Sequence, residues 1–373
     1  MNKKLIAVAV AGVFAAPAAF AQSSVTISGI LKGGFESMKY ANSAKANPSQ
    51  TGIVDDSSRI VFNVVEDLGG GLQAIVQLDM RLKADDGNNP AAQNVGGTLV
   101  QGNSHWGLRS KDWGRIFFGR QDLHYFNNES NLTDKGDLRA TSVSLLAYAG
   151  GGGTSITTAS RTQNVIHYTT PNWSGFTVIG AYSSNPTGQE SDIGSGVRKG
   201  RAWNFNPNFA AANWQIGYSY YSSKPDAVLT NKQRGDRFYG SYVFPMGIKV
   251  GFAWDKSRID NEATGVRTSN RNAWSIPVSY TWGNHSVHAH YTKAKDDKAT
   301  VVDDGAKMWA MSYAYDLSKR TSAALTYARI TNNAGASYNL FTAQSLGLAT
   351  NPTAFIAPGE DPRIWAVTLR HAF

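Results

Sequence analysis

The chain has 373 residues, of which 17% are charged, and it carries a formal net charge of +9 and no cysteine. A chain without cysteine cannot form disulfides, use a catalytic thiol or bind a metal through cysteine. Aromatic residues reach 11% and glycines number 37, a composition that suits strands in contact with lipid and its interfaces.

The first 21 residues have the three parts of a secretory signal peptide. Lys3 and Lys4 supply the positive start, residues 5–14 the apolar core, and Ala19-Phe20-Ala21 the cleavage site. The core is too short to span a bilayer, so a retained anchor is the weaker alternative. We therefore expect an exported mature domain of residues 22–373 with a net charge of about +7 (9 − 2). Export makes nucleic acid an unsuitable partner, and the charge favours a basic lumen that attracts anions.

Short segments with strand character follow one another from residue 24 to the C-terminus. The predicted strands are 24–36, 57–67, 71–83, 103–110, 113–120, 161–170, 175–183, 198–206, 213–222, 235–244, 247–256, 271–282, 284–295, 305–316, 319–331 and 363–373. They number sixteen, and an even number suits the closed antiparallel barrels of bacterial outer membranes. Pro277 lacks an N–H for the ladder, so we expect a β-bulge there.

Alternating side chains indicate what the strands enclose. The two faces of strand 71–83 are apolar (Leu72, Ala74, Val76, Leu78, Met80, Leu82) and largely polar (Gln73, Ile75, Gln77, Asp79, Arg81). Burying the polar groups of the second face without partners would be costly. A water-filled lumen removes that cost, so the pattern favours a barrel over a sandwich.

The connections alternate between short and long. The short ones are 68–71, 111–113, 171–174, 245–246 and 317–318, and the long ones include 37–56, 84–102, 184–197 and 332–362. Outer-membrane barrels have short periplasmic turns and long extracellular loops. The predicted fold is therefore all-β: a transmembrane antiparallel β-barrel of 16 strands in the Gram-negative outer membrane.

The last strand ends on an aromatic residue. Trp365, Val367 and Leu369 share one face, and the chain stops at Phe373. An ordinary edge strand of a soluble protein is the alternative interpretation. In an exported chain, the pattern predicts a closing strand whose terminal Phe373 acts as an assembly signal.

Six segments in the right order resemble general porins of Gram-negative bacteria, in particular the β-proteobacterial type. They are 24–29, 58–72, 114–120, 161–176, 315–321 and 369–373. The resemblance covers most of the mature chain and implies a trimer whose third loop folds into the pore. Residues 121–160, which include Gly150-Gly-Gly-Gly153, fit that third loop, because an ordinary connection is much shorter. A plain surface loop is the alternative.

The resemblance also implies a pore narrowed between arginines on the wall and acids on the third loop. By motif position, the wall arginines are Arg59, Arg120 and Arg161, and Lys32 stands where many relatives have an aspartate. The available loop acids are Asp122, Glu129, Asp134 and Asp137. Rings of basic side chains favour anions, so we expect anion preference. Rim residues held in salt bridges are the alternative for each arginine.

These patterns together predict a porin for passive diffusion of small anionic or neutral solutes. A channel specific for sugar or phosphate is the main alternative, and a barrel adhesin or hydrolase is a weaker one. His288 and His290 share a strand face, but no carboxylate at fixed spacing completes a metal site. We expect no catalytic residues, metal or cofactor. The expected partners are two further copies in a homotrimer, outer-membrane lipid and lipopolysaccharide, and the barrel-assembly machinery.

Overall fold

The computed structural model describes residues 23–85, 100–124, 135–146, 156, 159–186, 190, 200–224, 231–341 and 356–373. The predicted signal peptide, residues 1–21, lies outside the described residues. Within them, seventeen strand segments form one antiparallel sheet. The sheet closes on itself because the first and last strands pair, with Ile30 opposite Ala372 and Ala41 opposite Asp361.

The strands follow one another around the barrel in chain order. Their bounds are β1 (Ser24–Ala41), β2 (Ser49–Asp55), β3 (Arg59–Gly69), β4 (Leu72–Arg81), β5 (Ser104–Ser110), β6 (Gly114–Gln121), β7 (Thr162–Thr169), β8 (Phe176–Ser183), β9 (Arg201–Ala210), β10 (Trp214–Lys224), β11 (Asn231–Val243), β12 (Ile248–Asn261), β13 (Arg267–Trp282), β14 (His285–Ala294), β15 (Ala306–Asp316), β16 (Thr321–Asn332) and β17 (Asp361–Ala372). A 3-10 turn (Leu138–Ala140) and the short helix α1 (Val143–Leu146) lie in the third loop. Among the described residues no helix is long and apolar enough to cross a membrane.

Two of these segments make a single wall strand. The first half of β1 pairs with β3, from Ser24 opposite Val65, and the second half pairs with β2, from Gly33 opposite Asp55. β2 and β3 thus continue one another across residues 56–58, and the described barrel has sixteen wall strands, as predicted. The prediction of a loop over 37–56 was wrong. Residues 49–55 are few and contain a glycine, so their alternation is short, and their pairing with β1 defines the strand.

The predicted bulge at Pro277 was also wrong. The β12–β13 register is unchanged on both sides of the proline, with Val250 opposite Val278 and Ala253 opposite Ser275. A missing N–H removes a ladder hydrogen bond, but it does not by itself insert the extra residue that defines a bulge. The register shifts elsewhere: between Asp67 and Gly69 on β3, between Gly119 and Gln121 on β6, and between Ile259 and Asp260 on β12.

The predicted alternation of faces is confirmed. On β17, Trp365, Val367 and Leu369 are 52%, 56% and 55% exposed, whereas Ala366 and Thr368 are each 1% exposed. The exposed face is apolar and points outward, which is the arrangement that a lipid environment stabilises.

Aromatic rings form two bands on the outer face. Trp274 and Trp282 lie eight residues apart on β13, which corresponds to about 26 Å along a strand. Trp274 packs against Tyr291, and Trp282 stacks on His285. Bands of this kind mark the two interfaces of a membrane-spanning barrel.

The largest buried apolar cluster lies inside the barrel. It joins residues of the wall to Leu145 and Leu146 of the third loop, and to Tyr338, Leu340 and Ile356 of the last loop (333–360). Both loops therefore fold inward, and their apolar side chains are buried against the wall and one another.

Candidate functional site

The two ends of the third loop are joined at its neck. The side-chain Oδ1 of Asp122 accepts hydrogen bonds from the backbone N–H of Arg161 at 2.7 Å and from the Ser160 hydroxyl at 3.2 Å. The N–H of Leu123 donates to the carbonyl of Ala159 at 3.0 Å. Arg161 has φ of 44°, in the left-handed region, so the bonds at the neck hold the chain in a sharp turn before β7.

Lys32 attaches the returning part of the loop to the wall. Its Nζ lies 2.9 Å from Oδ2 of Asp56 and donates to the carbonyl of Gly136 at 3.0 Å. The same Oδ2 accepts the N–H of Leu138 at 3.0 Å. Lys32 and Asp56 are 8% and 2% exposed. The charge of Lys32 is therefore compensated by a carboxylate, and the residue helps to position the loop.

A second ion pair lies next to this contact. Arg139 Nη1 is 2.5 Å from Oε1 of Glu36 and 3.5 Å from Oδ1 of Asp137. The N–H of Asp137 donates to Oγ1 of Thr326 at 3.1 Å. Arg139, Glu36 and Asp137 are at most 1% exposed. Because loss of one partner would leave a buried charge uncompensated, the pair strongly favours this one docked position.

The loop also contacts the wall at β13 and β14, several strands away from β1. The carbonyl oxygen of Ala140 lies 2.7 Å from Nε2 of His290 on β14. Arg271 on β13 donates to the carbonyl of Leu146 at 3.3 Å. With Lys32 on β1, these contacts place the described residues 135–146 inside the barrel, against the sector of the wall from β13 to β1, and the loop is folded inward as predicted.

Near the neck, His124 is held by three wall residues. Its Nδ1 is 3.0 Å from Oγ of Ser219, and its Nε2 is 3.1 Å from Oδ2 of Asp255. Arg237 Nε donates to the same carboxylate at 2.9 Å and Nη1 donates to the His124 carbonyl at 3.0 Å. Burial, and then the Arg237 guanidinium, lower the pKa of His124, so the ring is neutral. All four side chains are fully buried, which denies a substrate access to this serine, histidine and aspartate.

A cavity of about 400 Å³ lies between the β1–β4 wall and the two inward loops. Its charged lining residues are Lys32, Arg59, Arg81, Arg161, Asp79 and Asp122. Four cationic and two anionic side chains give a net charge of +2 (4 − 2). Arg81 pairs with Asp79 at 2.8 Å and Lys32 with Asp56 at 2.9 Å, so Arg59 and Arg161 are the further cationic side chains of the lining.

Most of the predicted wall residues line this cavity. Arg59, Arg161 and Lys32 do so, whereas Arg120 borders a separate cavity of about 640 Å³ beside Trp106 and Phe118, whose rings are exposed. Arg120 Nε donates to the Arg161 carbonyl at 3.0 Å, so the residue supports the neck.

The predicted loop acids have different positions. Asp122 lines the cavity and closes the neck, while Asp137 is buried beside Arg139 and faces no lumen space. Glu129, Asp134 and the four glycines 150–153 lie outside the described residues.

The sequence interpretation missed three contributors to this site. Arg81 and Asp79 were recognised only as the polar face of a strand. Phe341 of the last loop lines the cavity, and its N–H donates to the Arg139 carbonyl at 3.3 Å. No local pattern around Phe341 marks it as inward-facing, because the contact depends on how two distant loops pack.

His288 and His290, which share a face of β14, contact protein groups. His290 Nδ1 lies 3.0 Å from Oγ1 of Thr292, in addition to the Ala140 contact, and His288 is buried on the same face. In the part of the chain that the structure describes, no group of three or more His, Asp or Glu side chains could hold a metal ion. The expectation that no cofactor is needed stays a prediction.

Comparisons with known proteins agree on one class. A family model described as Gram-negative porin matches residues 7–335. An outer membrane porin protein of Bordetella pertussis is 27% identical, over 86% of this chain and 92% of that protein. An anion-selective porin from Comamonas acidovorans has the same fold, with a TM-score of 0.73 at 22% identity over 94% of this chain and 100% of that one. OmpT of Vibrio cholerae, in a trimer form, has a TM-score of 0.64 at 13% identity over 94% and 99%.

Proposed function

This chain belongs to the Gram-negative porin family, and from that premise we propose that its water-filled outer-membrane channel prefers small anions to cations. The family accounts for the passive diffusion of small hydrophilic solutes and for the outer-membrane location. Anion preference is a more specific property than membership of the family, and the proposal of it rests on the charged side chains that line the cavity between the wall and the inward loops.

The excess of cationic over anionic side chains in the lining of this cavity, with Arg59 and Arg161 among them, is the observation that carries the proposal. Two unit charges 4 Å apart interact by about 4 kcal/mol at an effective dielectric constant of 20. The screening length is about 8 Å at physiological ionic strength, so charges on the wall still act on an ion within a narrow opening. Arg59 and Arg161 bring this charge to the lumen, and the anion-selective porin from Comamonas acidovorans supplies a precedent within the same fold.

Reversal potential in a KCl gradient across a planar bilayer tests the proposal. We expect a potential of the sign that chloride permeation produces, and a preference that shrinks as the salt concentration rises. A potential of the opposite sign, or none, would refute anion preference while leaving the porin class untouched.

We also propose that three copies associate through the outer face of β1, β2 and β17. Their exposed side chains form a broad apolar patch. It is mainly aliphatic, with Val25, Ile27, Leu31, Ile53, Val367 and Leu369, and it also contains the rings of Phe35 and Trp365. The trimer form of OmpT shows that this fold can assemble in threes.

A charge placed in this patch tests the assembly. Ile53 is 68% exposed on β2, so Ile53→Arg should convert a heat-labile, detergent-resistant trimer into monomers on gels of unheated samples. Val266→Arg is the matched control, because Val266 is 57% exposed in the connection after β12. If both variants remain trimeric, the interface lies elsewhere.

The proposal also covers cleavage of the signal peptide and the orientation of the barrel in the outer membrane. Cleavage before Gln22 would release the domain 22–373, whose third loop 121–160 forms the constriction. The short turns would face the periplasm, and Phe373 would be read by the barrel-assembly machinery. Lipid and lipopolysaccharide would contact the outer aromatic bands. Catalysis has no role in this account, since the buried contact of Ser219, His124 and Asp255 anchors the loop.

A further inference from the structure

The cavity beside Arg59 and Arg161 is amphipathic. Besides its charged groups, its lining includes Ile30, Val61, Leu138 and Phe341. These apolar side chains come from β1, β3, the third loop and the last loop. A simple anion filter needs only positive charge, so the apolar half of the lining is a second feature of the site.

Phe341 is held in the cavity by contacts on both sides. Its N–H donates to the Arg139 carbonyl at 3.3 Å, and Arg139 is fixed by Glu36. The ring is 9% exposed and belongs to an apolar cluster that includes Leu123 and Val143 of the third loop. The last loop therefore contributes a well-positioned aromatic ring to the constriction.

The last loop is itself fixed by wall residues. Asn332 donates to the carbonyls of Tyr338 at 2.9 Å and Glu360 at 2.6 Å, and its Oδ1 accepts the N–H of Tyr338 at 3.0 Å. Arg271, which holds the third loop through Leu146, also donates to the Tyr338 hydroxyl. Both ends of the described part of the last loop are thus tied to the same wall region as the third loop.

We propose that this cavity is a binding subsite for small carboxylates with an apolar body, such as aromatic monocarboxylates. The proposal rests on the anion preference proposed above and names the solutes that gain most from it. Guanidinium groups bind carboxylates through paired, charge-assisted hydrogen bonds, which assigns the carboxylate to Arg59 and Arg161. The apolar body then packs against Phe341 and Leu138. A volume of about 400 Å³ lies within the usual range of small-molecule sites.

The acidic lining residues do not oppose this assignment. Asp79 is paired with Arg81 at 2.8 Å, and Asp122 is engaged at the neck by the Arg161 N–H. The ring edge of Phe341, which carries partial positive charge, tolerates a nearby carboxylate better than its face does. The site therefore separates a cationic half from an apolar half, which matches the two halves of an aromatic carboxylate.

Block of the chloride current in planar bilayers tests the proposal with two probe anions. Benzoate has a charged group and an apolar ring, while gluconate has the same charge and a hydroxylated body. We expect benzoate to reduce the current at lower concentrations than gluconate. Neutral benzyl alcohol, which lacks the carboxylate, should not reduce it.

Substitutions at Phe341 separate packing from charge. Phe341→Ser should raise the half-blocking concentration of benzoate by about threefold to tenfold, the range for loss of one aromatic contact, and leave that of gluconate unchanged. Phe341→Leu should restore most of the benzoate effect. The double variant Arg59→Gln/Arg161→Gln should weaken block by both anions. Phe244→Ala, in an exposed turn, is the control and should behave as the wild type.

Each contrary result overturns the subsite. An unchanged benzoate effect in Phe341→Ser shows that the ring does not bind the solute. If Phe341→Ser raises the half-blocking concentrations of benzoate and gluconate equally, and Phe341→Leu does not restore block by benzoate, the substitution has only displaced the loop. Failure of anion preference itself would instead appear in KCl, without any organic anion, so the two proposals fail separately.

Discussion

Asp122 and Arg161 close the neck of the third loop, because the Asp122 carboxylate accepts the backbone N–H of Arg161 at 2.7 Å across 39 positions of sequence. One residue thus has two roles: it holds the turn that carries Arg161, and it adds a negative charge to the cavity. Substitutions can separate these roles, because asparagine keeps an oxygen acceptor while losing the charge.

Asp122→Asn should increase anion preference. The acceptor for the Arg161 N–H is retained, and the net charge of the cavity lining rises from +2 to +3. The reversal potential in a KCl gradient should shift further toward that of chloride. Asp112→Asn, in an exposed turn, is the matched control. A shift toward cations in Asp122→Asn would show that the carboxylate does not act on permeating ions.

Docking of the third loop should weaken in acid through His124. Burial lowers the pKa of this ring below its ordinary value of 6.5, so the undocked state takes up a proton more readily. Stability of the docked loop is therefore fully present above about pH 6.5 and declines as the pH falls below that value. Open-channel current noise should rise over the same range.

The variant His124→Gln isolates this contribution from the other histidines. Glutamine keeps donor and acceptor groups near Ser219 and Asp255 but does not titrate. We expect its current noise to depend less on pH than that of the wild type. An identical pH profile in both proteins would remove His124 from the account.

The first strand meets Phe373 where the barrel closes. Gly29 and Phe373 exchange backbone hydrogen bonds at 3.0 and 3.1 Å, and a Cβ on Gly29 would overlap the Phe373 ring. Gly29→Val should therefore displace Phe373, at a cost of about 1–3 kcal/mol for an overpacked contact. Deletion of Phe373 should likewise lower the yield of folded barrel in the outer membrane.

A second glycine provides the comparison. At Gly52 a Cβ would meet nothing within 4 Å, so Gly52→Val should fold with normal yield. Unheated gels of outer-membrane fractions measure the folded fraction of each variant. Normal yields for both Gly29→Val and the Phe373 deletion would rule out an assembly role for this contact.

Orientation can be read from single cysteines, because the chain has none of its own. Thr264 lies in the connection 262–266, and Ser318 in the short turn 317–320 at the opposite end of the barrel. A membrane-impermeant maleimide should label Thr264→Cys on intact cells, and Ser318→Cys only after permeabilisation. The reverse pattern would invert the proposed topology.

The barrel could be predicted because strand alternation is a local property. Trp365, Val367 and Leu369 lie on one face in any β-strand. Because this strand ends an exported chain, the apolar face could be predicted to contact lipid. β2 could not be predicted in the same way. Its seven residues, which include a glycine, are too few to show a clear alternation, and their pairing with Gly33–Lys39 defines them.

The site was predictable where the family resemblance gave a residue a motif position. Arg59 begins β3 and Arg161 immediately precedes β7, and both line the cavity. The role of Lys32 differs from a simple pore cation, because Asp56 and Gly136 become its partners only after the third loop docks. Phe341 depends on the packing of two loops, which no short sequence pattern encodes.

Reversal potential of the double variant Arg59→Gln/Arg161→Gln in a low-salt KCl gradient tests the central claim most directly. The substitutions lower the net charge of the cavity lining from +2 to 0, so the potential should move toward cations and lose most of the anion preference. Arg363→Gln, on β17 and outside the cavity, should keep the wild-type value. A wild-type potential in the double variant would show that these arginines are not the filter.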